Sequence, residues 1–271
     1  MKIVALCKTF AGEEWIEAMT KSIYPFIEKI VFVNSELSWN GRKGNTCKSE
    51  IKKMQASNIG DKIISLDFDT INQAEQCNAG FDYVKENYSC DIIMFVDTDE
   101  VWDNANLQHA IRFIENKNGQ EAFKVSMYTY IKSPYWRVTP VEPLKPVCFV
   151  RSKVENLGRL SRGVELRAKL IPNCYFHHFV YVRKNFNTIL EKIITSNVSE
   201  NTKYEDMSVW IPKIWNSLPS GVNIHPSIGH QHFWKSLVKV DKNQLPEILQ
   251  SESFEITERY NESCTNKNLC S

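Results

Sequence analysis

DIIMFVDTDEVW, residues 91–102, is the stretch on which the reading of this chain turns. Five apolar residues, Ile92 to Val96, separate Asp91 from Asp97, and then Asp97, Asp99 and Glu100 fall within four positions. An unbroken apolar run of that length suits a strand covered on both faces. In an open α/β sheet, ligands bind beyond the carboxyl ends of the strands, and the acids stand at such an end. If the backbone stays extended through Thr98, both aspartates point the same way. Two carboxylates brought together in a cleft repel each other and lose solvation, and a divalent cation relieves both costs. Mg²⁺ or Mn²⁺ held in this way commonly also ligates phosphate oxygens. The bland alternative is a solvated turn.

The surroundings favour the sheet. IVALC (3–7), IVFVN (30–34) and KIISLDF (62–68) read as strands. Between them, Trp15, Ile16, Met19 and Ile23 recur at helical spacing, and SELSWNGRKGNTCKSE (35–50) reads as a loop leading into a helix. Residues 73–87 place Ala74, Cys77, Phe81 and Val84 on one helical face. The expectation is an α/β, doubly wound, Rossmann-type and mostly parallel sheet. After Asp99, Asn104 or Asn106 is expected to cap a helix carrying Leu107, Ala110, Ile111 and Ile114. EAFKVSMYTYI (121–131) reads as a strand with one wet face, and PVCFVR (146–151) and LIPNCYFHHFVYV (170–182) as further strands. Phe186, Ile189, Leu190, Ile193 and Ile194 form a helical stripe, and residues 202–216 a helix broken near Pro212. From about Gln250 the chain is polar and loosely attached.

The chain has 271 residues, 42% hydrophobic and 24% charged, with a net charge of +1. Such a balance gives no global field for nucleic acid or membrane, while leaving room for a local basic patch. No apolar stretch is long enough for a bilayer span or a signal peptide, and the eight cysteines contain no CxxC pair. A reduced, cytoplasmic protein is expected.

A second acid pair, Asp67 and Asp69, follows the strand IISL. IISLDFDTI (63–71) locally resembles the signature of haloacid-dehalogenase-type phosphatases, with Asp67 as nucleophile, Asp69 as acid/base and DTDE as the Mg²⁺ pair. In that family the nucleophile strand usually comes first, whereas here two strand–helix units precede it.

Over roughly residues 1–235 the order of parts resembles the nucleotide-sugar glycosyltransferases of GT-A fold, family-2-like ones especially, a class that includes virus-encoded enzymes. MKIVALCKTFAGEEWIEAMTKSIYPFIEKIVFVNS looks like the opening strand–helix–strand. NQAEQCNAGFDYV (72–84) resembles the helix before the metal motif, with Cys77 where many relatives have Arg or another residue. DIIMFVDTDEVW looks like the Asp-x-Asp strand, and FHHFVYVRK (176–184) like a His-x₄-Arg segment. The resemblance implies a sugar donor, a UDP-sugar in the first instance, bound with Mn²⁺ or Mg²⁺. Thr9, Asn34, Gln76 and Asn78 would face the nucleotide, with Asp67 and Asp69 on the same side. Asp97, Asp99 and His178 would hold the metal, and Arg183 and Lys192 would neutralise the diphosphate. The acceptor's base is left among Glu165, Asp206 and, more weakly, Glu142. The implied division is a nucleotide-sugar half (1–103), an acceptor half (104–235) and a C-terminal helical extension (236–271).

His177 and His178 are adjacent, so on a strand they face opposite sides. Arg151, Lys153, Arg159, Arg162, Arg167 and Lys169 form a basic run on the implied acceptor side, preceded by Tyr128, Tyr130, Tyr135 and Trp136. Aromatics with arginine suit sugars, bases and phosphates alike. Glycan, lipid or protein acceptors fit, as does DNA carrying a hydroxymethylated base, flipped out of the duplex; a virus-encoded chain would then work in the host cytoplasm. IHPSIGHQHFW (224–234) brings together His225, His230 and His232, but its spacing suits neither a structural zinc nor a HExxH helix.

Overall fold

The computed structural model describes residues 1–39, 41–44, 46–159, 161–163, 165–183, 188–189 and 234–250. The first half winds as its pattern predicts: β1 (Ile3–Thr9), α1 (Ile16–Ile23), β2 (Lys29–Asn34), α2 (Lys48–Gln55), β3 (Ile63–Asp67), α3 (Gln73–Asn87) and β4 (Ile92–Phe95). The four strands run parallel in the order β3-β2-β1-β4. β1 and β4 are buried along their whole length because both faces are covered. Ile3, Ala5, Cys7 and Met94 pack with Ile16 and Met19 of α1, while Val4, Leu6, Val33 and Phe95 pack with Cys77, Phe81 and Val84 of α3. Each large apolar side chain so buried contributes roughly 1.5–3 kcal/mol. Helix α3 lies tight on the sheet because Gly80 lacks a side chain; a Cβ there would stand 2.3 Å from Leu6 Cδ1 and 2.6 Å from Val33 Cγ2. Asn72 caps α3 by accepting from the amides of Ala74 and Glu75.

Beyond β4 the pairing changes. β5 (Glu100–Val101), α4 (Asn104–Glu115), β6 (Ala122–Ile131), β7 (Trp136–Thr139), β8 (Val147–Arg151) and β9 (Ala168–Tyr181) follow. β8 joins β4 and β6 antiparallel, β6 runs parallel with β9 and antiparallel with β7, and β5 pairs antiparallel with β9. The sheet is therefore mixed, with its parallel order concentrated in the first half. β6 has no wet face; only Lys124 and Tyr128 are partly exposed, because β8 and β9 flank it and both surfaces are packed. The cap of α4 is Asp103, which accepts from the Asn106 amide at 2.7 Å, rather than Asn104 or Asn106. The Asn106 side-chain oxygen instead accepts from the Tyr175 amide.

Residues 236–250, expected to open an extension, are joined to the main body. β10 (Ser236–Lys239) adds antiparallel to β7, and α5 (Glu247–Gln250) sends Leu249 into the core. Apart from Thr188 and Ile189, the stripe at 186–194 lies outside the described residues. So do the expected helix at 202–216, Lys192, Asp206, His225, His230, His232 and the tail from 251. Among the described residues no helix is long and apolar enough to cross a membrane, and Cys7, Cys47, Cys77, Cys90, Cys148 and Cys174 are free thiols.

Candidate active site

The site lies where β1, β2 and β4 end. Its floor is a network of buried polar groups. Thr9 Oγ1 donates to Asn34 Oδ1 at 2.6 Å, and Asn34 Nδ2 donates to Ser65 Oγ at 2.8 Å and to Asp67 Oδ1 at 3.4 Å. Gln76 Nε2 donates to the Val33 carbonyl at 2.8 Å, and the Trp39 indole donates to Gln76 Oε1 at 3.2 Å. Thr9 and Asn34 are thus bonded to each other at the strand ends, while Gln76 is engaged by Val33 and Trp39. Asn78 faces elsewhere, donating to the Gly158 carbonyl at 3.1 Å, and Asp69 accepts from the Glu36 amide at 2.8 Å.

Above the floor, residues 97–100 do not stay extended. The Glu100 amide donates to the Asp97 carbonyl at 3.0 Å, closing a turn that sends the two aspartates to different partners. Thr98 packs against Gly12 so closely that a Cβ on Gly12 would lie 2.0 Å from Thr98 Oγ1. Asp97 Oδ1 accepts from Lys8 Nζ at 2.5 Å, and Asp97 Oδ2 from Arg162 Nη2 at 2.6 Å. The same Nη2 donates to Glu100 Oε1 at 2.8 Å, while Glu100 Oε2 accepts from the Asp97 amide at 2.9 Å. Asp99 Oδ2 accepts from Arg183 Nη2 at 2.5 Å, and Asp99 Oδ1 is 3.6 Å from His178 Nε2.

Three acids therefore meet three cations in two groups, Asp97/Glu100 with Lys8/Arg162 and Asp99 with Arg183. Burial alone would raise the Asp97 carboxyl; Arg162 and then Lys8 outweigh it and hold the group well below its usual range. Burial likewise raises Glu100, against the pull of Arg162 and with a push from Asp97, and here it prevails, carrying the carboxyl up to about 7.

Adjacent histidines part as the strand period requires. His178 turns toward Asp99. His177 turns to the opposite face, where its Nδ1 lies 2.8 Å from Tyr130 Oη and its Nε2 3.6 Å from Asp103 Oδ2. Tyr128 stacks on Tyr175 on that same face, with ring centroids 4.5 Å apart, and Arg137 sits over it. Tyr128 and Tyr130, expected beside the acceptor, are thus on the other side of the sheet from His178. The basic run also divides. Arg162 enters the site, Arg151 donates to the carbonyls of Ile114, Lys117 and Gln120 at the end of α4, and Lys153, Arg159, Arg167 and Lys169 are exposed.

The carboxylates considered for the acceptor's base separate as well. Glu165 is exposed and accepts from the Arg159 amide at 2.9 Å, bracing a loop. Glu142 is buried, accepts from the Trp234 indole at 2.7 Å and lies within electrostatic reach of His178; burial raises its carboxyl, with Trp234 pulling the other way. Asp67 ends β3, and its side chain is 66% exposed beside Lys48. With β2 and β1 between β3 and β4, strand spacing puts Asp67 roughly 14 Å from the DTDE turn, too far for that turn to hold a metal against a phosphate on Asp67.

Of the residues expected to hold a metal, Asp99 Oδ1 and His178 Nε2 are 3.6 Å apart and could share a divalent ion, while Asp99 Oδ2 is held by Arg183. Among the described residues no group of three or more His, Cys, Asp or Glu side chains converges. An ion there would complete its shell with water and phosphate oxygens, the usual habit of Mg²⁺ in nucleotide sites. Asp97, expected as a second ligand, is engaged on both oxygens by Lys8 and Arg162. These two cations are what the sequence pattern missed. Lys8 carried one signal, a lysine inside an apolar strand, which stays buried only when paired. Arg162 carried none, since it stands 62 positions from Glu100 in a loop.

No protein-family model and no curated protein matches the chain. Among solved structures it is similar to TarS residues 1–349 from S. aureus, with 12% identity and a TM-score of 0.45 over 79% of each chain. It is also similar to the mannosyltransferase PcManGT from Pyrobaculum calidifontis in complex with GDP-Man and Mn²⁺, with 11% identity and a TM-score of 0.46 over 68% of this chain and 58% of that one. A third is glucosyl-3-phosphoglycerate synthase from Mycobacterium tuberculosis in complex with Mn²⁺, UDP and glucosyl-3-phosphoglycerate, with 13% identity and a TM-score of 0.38 over 71% of this chain and 78% of that one.

Proposed function

We propose that the chain is a metal-dependent glycosyltransferase that moves a sugar from a nucleoside-diphosphate donor, a UDP-sugar in the first instance, to an acceptor hydroxyl. One observation carries the reading: at the strand ends, Asp99 of the acid turn faces both His178 and Arg183, and the same turn holds Asp97 and Glu100 against Lys8 and Arg162. Such an arrangement suits sugar transfer, because the leaving diphosphate gains charge as the C1–O bond breaks and must be met by positive charge. Mn²⁺ or Mg²⁺, held by Asp99 and His178, would supply Lewis-acid neutralisation of that diphosphate. Arg183, already fixed by Asp99, adds positive charge where the ion would bind, and Lys192 is proposed to assist. Thr9, Asn34 and Gln76 give the nucleoside a polar floor, with Asp67 and Asp69 at its rim. Of the three carboxylates considered for the base, Glu142 has the surroundings that suit the work, being buried with a raised affinity for protons. Asp206 remains proposed from resemblance alone. The acceptor is a glycan, lipid or protein hydroxyl; a hydroxymethylated DNA base is the second choice, since the described basic residues do not converge on one groove.

The test is thermal stability with UDP-, GDP-, CDP- and ADP-linked sugars, with Mn²⁺ and with chelator. A ligand bound only by the native state raises the melting temperature by mass action. A metal-dependent rise with one donor, absent in Asp99→Ala, is expected; no rise with any donor would sink the reading.

A further inference from the structure

The polar floor of the site is sealed in this structure. Thr9, Asn34 and Gln76 are each exposed by 1% or less, and Lys8 is buried beside them. The recess under Lys8, Gln76 and Arg162 is walled by Leu6, Val33, Phe95 and Val96 and has no room for a water molecule. A nucleotide therefore reaches this floor only after whatever covers it has moved.

A hairpin between β2 and α2 lies over it. Leu37 bridges to Lys43, the Ser38 amide donates to the Arg42 carbonyl at 2.8 Å, and the Gly41 amide donates to the Ser38 carbonyl at 2.8 Å. Gly41 supplies the left-handed φ of 77° that the tight turn uses. The Arg42 amide donates to Ser38 Oγ at 3.0 Å. These bonds lie within the hairpin, so it can travel as a unit. Its base is anchored, with the Glu36 amide donating to Asp69 Oδ1 at 2.8 Å and the Glu36 carboxylate 3.2 Å from Lys48 Nζ. Its tip is docked through the side chain of Trp39. The indole N–H donates to Gln76 Oε1 at 3.2 Å, and Lys8 Nζ lies 5.3 Å from the ring centroid. Gln76 stands on α3 and Lys8 on β1, so one indole spans the two walls of the site. A neutral hydrogen bond and a cation over a ring are contacts that a bound ligand can displace.

Resting on the glycosyltransferase reading, we propose that this hairpin is a gate over the donor site, closed here, with Trp39 standing where the donor's nucleotide must lie. The indole and the nucleotide then compete for the same ground. The apparent affinity is the intrinsic affinity scaled by the fraction of molecules with the hairpin lifted. Removing the indole raises that fraction and leaves the Gln76 bond to the Val33 carbonyl in place.

Calorimetric titration and stopped-flow binding of UDP, GDP, CDP and ADP to wild type, Trp39→Ala and Trp39→Phe, all with Mn²⁺, test this. The diphosphate that binds should bind Trp39→Ala about threefold or more tightly than wild type, through faster association at an unchanged dissociation rate. Binding to Trp39→Ala alone, with none to wild type, supports the gate as well. Equal affinity in the two overturns it and leaves the donor site standing. Weaker binding to Trp39→Ala also overturns it, since the indole would then be a contact that the ligand uses. If none of the four diphosphates binds any of the three proteins, the glycosyltransferase reading falls and the gate falls with it. Should Trp39→Ala fail to fold, Trp39→Phe decides, because it keeps a ring over Lys8 and loses only the bond to Gln76. Tighter binding there supports the gate, and equal or weaker binding overturns it.

Discussion

The chain carries the same local pattern twice, an apolar strand ending in Asp-x-Asp, and the two ends have opposite fates. At the end of β3, the Asp67 side chain is 66% exposed, touches Lys48 at 3.3 Å and accepts a long bond from Asn34 Nδ2 at 3.4 Å. At the end of β4, the Asp99 side chain is 2% exposed and meets Arg183, itself equally buried, at 2.5 Å. The motif is alike, so the difference comes from position. β3 is the edge of the parallel run, while β4 lies between β1 and β8. A central strand end is walled by its neighbours, and there acids lose water and must find cations. At an edge they keep their water and need nothing. Charge pattern alone therefore does not mark a site; burial of the charge does.

Removing the buried charge should break the comparison most sharply. Asp99→Asn leaves Arg183 buried with no anion, and breaking such a pair typically costs 3–5 kcal/mol. A fall in melting temperature on the order of 10 °C is expected, together with loss of any metal-dependent donor response. A variant that melts with wild type and still binds donor and Mn²⁺ would show that the Asp99–Arg183 pair contributes neither stability nor ligand binding.

A smaller effect follows from Glu100. Its carboxyl holds a proton in the folded chain up to about 7, chiefly through burial, whereas an unfolded glutamate releases it near 4.3. Between those values the native state binds more protons than the unfolded state, so this group's contribution to stability falls as pH rises through the window. His177, which burial keeps neutral, acts with the opposite sign. The informative quantity is therefore the difference between wild type and Glu100→Gln. Urea unfolding from pH 4.5 to 7.5 should show wild type losing stability relative to the variant as pH rises. A constant difference across that range would mean Glu100 ionises freely.

Much of this was legible from residues alone, and the limits have physical causes. The βα units of the first half show plainly because each strand is covered on both faces and reads as an unbroken apolar run. The opposite facing of His177 and His178 follows from a period of two. β5 and β7 were missed because two- and four-residue strands leave no periodic trace. Tyr128 and Tyr130, read beside the basic run, meet His177 on the face opposite His178, because a strand's pattern says which residues share a side but not which side that is. Asp97 and Asp99 were expected to converge; the turn closed by the Glu100 amide separates them, and no one-residue spacing announces a turn. Arg162 was the least legible of all, since only the folded path of residues 152–163 brings it to Asp97.

The smallest expected effect sits at the other Asp-x-Asp. Asp67→Asn removes an exposed ion pair with Lys48, worth at most about 1 kcal/mol, and keeps an oxygen to accept from Asn34 Nδ2, now 3.4 Å away. Stability should barely change, and donor affinity should fall only a few-fold, through the nucleoside floor rather than the diphosphate. The phosphatase reading demands the reverse, with release of phosphate from a phosphomonoester that vanishes in Asp67→Asn and survives in Asp99→Asn. Assaying both variants against a nitrophenyl phosphate and a nucleotide sugar places the chemistry at one strand end or the other. The structure favours β4, because a nucleophile at β3 would have its metal-holding acids two strands away, and no side-chain motion short of refolding the sheet closes that gap.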